Sequence, residues 1–99
     1  MAVGVQLDFL GATLEQYDAI NEIIGRLPGG PAAAHEVFHL ASPTEDGFRV
    51  IDVWESTDAF DQFLRERLTP AFEEVAVPNP PAITTFEIHD FAVGSRRET

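Results

Sequence analysis

The sequence predicts an α+β domain whose elements run β-α-β-β-α-β. Three observations carry this prediction: an opening stretch that alternates apolar and polar residues, two stretches with apolar residues every three or four positions, and a turn-rich hexapeptide between two further strand-like stretches. A chain of 99 residues suits one domain and is too short for two. One domain over 1–99 is expected, with a folded core at 3–93 and a polar tail at 94–99 that frays.

Val3 to Leu10 puts Val3, Val5, Leu7 and Phe9 on one strand face and Gly4, Gln6, Asp8 and Leu10 on the other, and Gly11 breaks it. Thr13 to Leu27 reads as a helix. Thr13 is a good N-cap, Gln16 completes a capping box, and Leu14, Tyr17, Ile20, Ile24 and Leu27 form one apolar stripe. Pro28-Gly29-Gly30-Pro31 stops the helix in a loop. His35 to Ala41 and Phe48 to Glu55 are strands joined by Ser42-Pro43-Thr44-Glu45-Asp46-Gly47, a connection short enough to force an antiparallel hairpin. Ser56 or Thr57 caps the next helix, whose buried face is Phe60, Phe63, Leu64 and Leu68. Thr69-Pro70 restarts a short helix with Phe72 and Val75 inward. Val77 to Pro81 is a rigid loop, and Ile83 to Val93 is the fourth strand. This is the ferredoxin-like order, a four-stranded antiparallel sheet with helices on one face. The other face is left bare, and a symmetric homodimer is the expected cover.

Composition excludes several classes. There are 17 acidic against 6 basic residues, a net charge of −11, which disfavours nucleic acid and anionic membrane surfaces as partners. The acids fall mostly on helix exteriors, as solvated surface. With no cysteine there is no disulfide framework, thiolate metal site or cysteine nucleophile. No apolar run approaches the roughly 18 residues of a membrane span, and Met1-Ala2-Val3-Gly4 has no basic leader. A cytoplasmic location is the expectation. Serine-triad, P-loop and dinucleotide fingerprints are missing too.

Arg49-Val50-Ile51-Asp52-Val53-Trp54-Glu55-Ser56, a strand closing in Trp-Glu-Ser, is followed by Asp58-Ala59-Phe60-Asp61-Gln62-Phe63. With the Val5-Gln6-Leu7-Asp8 and Phe86-Glu87-Ile88-His89-Asp90-Phe91 strands, it resembles the antibiotic-biosynthesis-monooxygenase-like branch of the dimeric α/β-barrel superfamily, over residues 3 to 93. The resemblance implies a dimeric barrel. It offers a choice of activities: cofactor-independent oxygenation of aromatic polyketides, haem degradation and isomerisation. Trp54 matches a pocket Trp of the haem-degrading members. Those enzymes also need a His in the second helical region, where Leu68 to Glu74 has none, and an Asn where this first strand has Gln6 and Asp8. Haem degradation is therefore disfavoured.

If Ala41 pairs with Phe48, then His35, Val37, His39, Phe48, Val50, Asp52 and Trp54 share one sheet face, with His39 and Asp52 diagonal neighbours. The resemblance puts Trp54 on the helix-covered side, where the family's cavities lie. A carboxylate beside an imidazole fixes its tautomer and raises its basicity. His39 is then the base and Asp52 its orienter, able to deprotonate a phenol or activated C–H for reaction with O₂. The same residues also fit a polar pair at a dimer contact, and Trp54 fits a core position. Tyr17 sits on the apolar stripe of the first helix, as a donor to substrate or as a core tyrosine. Gln6 reaches either a pocket or the dimer face, and His89 lines the pocket or the interface. His35 and His39 stand about 13 Å apart on one strand, too far for one ion, so no metal is expected.

The expected function is a small cofactor-independent monooxygenase-like enzyme. His39 and Asp52 are its catalytic residues, and Trp54, Tyr17, Gln6 and His89 contact an apolar aromatic or polyketide-like molecule. The alternatives are a non-catalytic dimeric binding or interaction module of the same fold, and a cofactor-free isomerase or cyclase.

Overall fold

The computed structural model describes residues 2–27, 29–30 and 32–94. Its elements are β1 (Val3–Leu10), α1 (Leu14–Ile24), β2 (Glu36–Thr44), β3 (Gly47–Trp54), α2 (Thr57–Phe63), a π-helical turn (Leu64–Leu68), α3 (Thr69–Val75) and β4 (Ala82–Glu87). The sheet order is β2-β3-β1-β4, all antiparallel. This is the expected ferredoxin-like arrangement.

β1 buries Val5, Leu7 and Phe9 against the helices, and β3 buries Phe48, Val50 and Trp54 on the same face. Ile20 of α1, Phe60 of α2, Leu68, and Ala71 and Phe72 of α3 close this core. The capping box is present: Thr13 accepts from the Gln16 N–H and Gln16 accepts from the Thr13 N–H. Helix α1 stops three residues earlier than expected. Gly25 takes the left-handed conformation (φ 81), and Arg26 N–H reaches back to the Asn21 carbonyl in a Schellman-type close. Leu27 is consequently exposed. The Pro28–Pro31 loop expectation falls partly outside the described residues, and the frayed tail lies outside them beyond Gly94.

Three further expectations need correction. First, β2 extends through Pro43 to Thr44 instead of ending at Ala41. It is an edge strand, where a missing N–H is tolerated. Second, Thr69-Pro70 does not restart a separate helix. Thr69 N–H bonds the Leu64 carbonyl, a wide turn that carries α2 directly into α3 and places Pro70 in the first turn of α3. Third, β4 ends at Glu87, not Val93: Glu87 pairs with Val3, where its partner strand β1 begins.

The opposite sheet face is bare. Phe86 covers Gly4, where a Cβ would strike its ring, while Leu40 and Phe86 themselves stay exposed. Among the described residues, no helix is long and apolar enough to cross a membrane.

Candidate active site

The β2–β3 hairpin sets the site. Its register is Ala41↔Val50 and His39↔Asp52, two residues from the pairing considered in the sequence reading. A slip of two preserves the facing, so His39 still points to the helix side, now directly opposite Asp52. A bulge between Glu36 and Phe38 then rotates Glu36 onto that face as well.

These residues form one hydrogen-bonded chain. His39 Nδ1 lies 2.7 Å from Asp52 Oδ1, and His39 Nε2 lies 2.7 Å from the Tyr17 hydroxyl. Trp54 Nε1–H donates to Asp52 Oδ2 at 3.2 Å, and the Ala33 N–H donates to Glu36 Oε1 at 3.0 Å. Glu36 Oε2 stands 3.4 Å from His39 Nδ1. The Tyr17 and His39 rings are nearly parallel, at 10°, and Phe48 meets the Tyr17 ring edge-on. The Asp52 side chain is 5% exposed and that of His39 11%, so this network is buried but not sealed.

Its electrostatics follow from that burial. Burial alone would push the His39 imidazole down, but hydrogen bonds to Asp52, Glu36 and Tyr17 outweigh it and raise the pKa to about 10. Burial, reinforced by Glu36, raises Asp52 to about 6 despite the opposing pull of His39. Glu36 is held below its usual value because hydrogen bonds to His39, Asp52 and Ala33 exceed the burial penalty. The three titrate as a unit. Near neutral pH the imidazole holds its proton between two carboxylates. These partners favour the imidazolium form of His39. Its Nδ1–H donates to Asp52 and its Nε2–H to the Tyr17 oxygen, which leaves the Tyr17 O–H free to donate elsewhere.

The network opens on a cavity of about 360 Å³ between sheet and helices. Tyr17, His39, Asp52 and Glu36 line one part, and Leu7, Ile20, Phe63 and Phe72 form much of the rest. That is room for a small ring system on mostly apolar walls.

The other expected contacts are elsewhere. Trp54 is 1% exposed and lies behind Asp52, packed on Phe60 and Phe63, so it positions the carboxylate without lining the cavity. Gln6 is on the bare sheet face, donating to Asp8, which Arg49 also holds. His89 is exposed beyond β4 and outside the cavity. His35 is exposed with φ 68 and faces Glu55 at 3.4 Å. Glu36 was not singled out, because no periodicity places residues three apart on one strand face. Glu36, His39 and Asp52 each offer a ligand atom within 4.8 Å of the others, a donor set able to take a divalent cation.

No known family profile and no curated protein matches the chain. Solved structures do. Rv0793 of Mycobacterium tuberculosis is 16% identical, covering 94% of this chain and 100% of its own, with a TM-score of 0.65. A Deinococcus radiodurans protein, described as a candidate antibiotic biosynthesis monooxygenase, is 18% identical over 97% of this chain and 99% of its own, at 0.60. A mutant of SnoaB, a cofactor-independent oxygenase of Streptomyces nogalater, is 16% identical over 91% and 93%, at 0.56. The chain shares the fold of these three structures.

Proposed function

We propose that the protein is a cofactor-independent oxygenase acting on a phenolic, largely apolar small molecule. The observation that carries this reading is the Tyr17–His39–Asp52 chain opening on an apolar cavity. A phenol bound there meets the Tyr17 O–H, backed by the His39 cation, which stabilises the substrate as its anion. The phenolate is the reductant and O₂ the oxidant. A phenol plus O₂ gives a quinone plus water, with no electrons required from elsewhere. Asp52, lifted to about 6, adjoins His39 and can accept the phenol's proton through it as the network rearranges. We also propose a homodimer covering the bare sheet face with Leu40 and Phe86.

The test is oxygen uptake with a panel of naphthols and hydroxyanthracenes, together with native mass spectrometry of the protein as purified. The reading expects uptake tied to quinone formation, and a particle of twice the chain mass. Ligand binding without uptake would leave a binding module in place of an enzyme.

A second reading has its own observation. The three donor atoms Nδ1, Oδ1 and Oε2 converge, while the companion atoms of His39, Asp52 and Glu36 are held by Tyr17, Trp54 and Ala33. Metal ligands are held by outer partners in this way. A divalent cation at this point would displace the imidazole proton and polarise the substrate oxygen instead. Metal analysis of the purified protein, and turnover after dialysis against a chelator, separate the two readings.

A further inference from the structure

One group in the cavity has no role in the chemistry above. Arg26 Nε is fully buried and has no hydrogen-bond partner among the described residues. No acidic side chain pairs with Arg26 among the described residues, although the chain has 17 acids for 6 basic residues. Arg67, the other arginine at this cavity, is already engaged, donating to the Ile24 carbonyl at 2.9 Å. Beside Arg26, Asn21 is 8% exposed, and its carboxamide faces the same cavity. Buried donors of this kind are nearly always satisfied, and a guanidinium fork suits a carboxylate. Both residues line the same cavity as Tyr17.

Helix geometry orders them. Tyr17 and Asn21 are one turn apart on α1, about 6 Å along its axis, and Arg26 follows the Gly25 cap. The polar groups therefore form a track from the His39 end of the cavity toward the end of α1, with apolar walls around it.

We propose that the substrate is an aromatic acid. Its carboxylate is held by Arg26 with Asn21, and its phenolic oxygen meets the Tyr17 hydroxyl, backed by His39. This rests on the reading of the cavity as the substrate site, and adds to it an anionic anchor remote from the reacting oxygen. Such an anchor fixes which end of the ring system faces His39. It also explains how a chain of net charge −11 admits an acid: the two carboxylates of the site share the His39 cation, and Arg26 at the other end pairs with no acid among the described residues.

The experiment is a set of calorimetric titrations with a hydroxynaphthoic acid, its methyl ester and the parent naphthol. The proposal expects the acid to bind at least tenfold tighter than ester or naphthol, with that preference shrinking as salt rises. In Arg26→Gln the preference should fall to within twofold while the affinity for naphthol is kept. Arg26→Lys should retain part of it. Wild-type protein that binds acid, ester and naphthol alike overturns the anchor but leaves the cavity as a phenol site. Failure to bind any of the three overturns both. Because the salt dependence is read on the wild type, the result does not depend on how well a variant folds.

Discussion

Folding stability should fall steeply as pH rises above neutrality, and His39 is the cause. In the unfolded chain its imidazole has the ordinary value of 6.5, whereas in the fold it is raised to about 10. Between those values the folded protein holds a proton that the unfolded chain has lost. The slope of unfolding free energy against pH is therefore negative there, at most about 1.4 kcal/mol per unit. His39 contributes stability that is full below about pH 6.5 and lost as pH rises through about 10. The whole excursion is on the order of 5 kcal/mol by that conversion. Water reaching the open side of the ring screens part of it, so about 2–3 kcal/mol is expected. Against a typical domain stability of about 5–15 kcal/mol this is a large fraction. Asp52 acts in the same sense at lower pH: its raised value means stability lost as pH rises from 3.8 through about 6. Urea midpoints measured from pH 6.5 to 9.5 report the loss, and His39→Gln provides the control. The wild type should lose stability across this range while the variant, lower throughout, stays comparatively flat. Equal slopes in the two proteins would refute a proton held on His39.

Asp52→Asn should cost about 3 kcal/mol, because it leaves the buried His39 cation with Glu36 alone and gives the Trp54 N–H a poorer acceptor; urea denaturation gives the loss, and an NMR titration should find the His39 value lowered. Tyr17→Phe removes only the hydroxyl bonded to His39 Nε2. It should lower the rate of substrate oxidation about a hundredfold at a stability cost of about 1–2 kcal/mol, and an unchanged rate would take Tyr17 out of the chemistry. Gly4→Val should push Phe86 off the bare sheet face, since even a Cβ there meets the ring. Sedimentation should then show the proposed homodimer weakened at least tenfold while circular dichroism retains the fold.

The fold was legible where local rules and tertiary packing agree. Thr13 and Gln16 announce α1, the alternation of Val5, Leu7 and Phe9 announces β1, and the hexapeptide after Ala41 announces the hairpin. Misplaced boundaries have tertiary causes. β4 ends where β1 runs out of partners, Gly25 closes α1 early, and a π turn at Leu64–Leu68 carries the helix across a proline that looked like a break. The site was legible by parity. Alternation puts His39 and Asp52 on one face with Trp54, the family resemblance makes that face the covered one, and helical periodicity turns Tyr17 inward; a two-residue register error disturbs none of this. Glu36 was invisible because only the bulge brings it to that face. The protonation of His39 was unreadable for the same reason: one carboxylate makes an imidazole more basic, but the second carboxylate and the phenol together keep it charged. That Arg26 meets no acid among the described residues shows only in three dimensions, since sequence spacing does not reveal which acids an arginine fails to meet.

The central claim is that the His39 network promotes oxygenation without an added cofactor. It is tested most directly by following oxygen uptake and substrate loss together, in chelator, for wild type and His39→Ala. The account predicts one O₂ consumed per phenol converted by the wild type, and a rate at least about a hundredfold lower in a folded variant that still binds the phenol. Equal rates in the two proteins, or uptake that appears only when a divalent metal is restored, would contradict it.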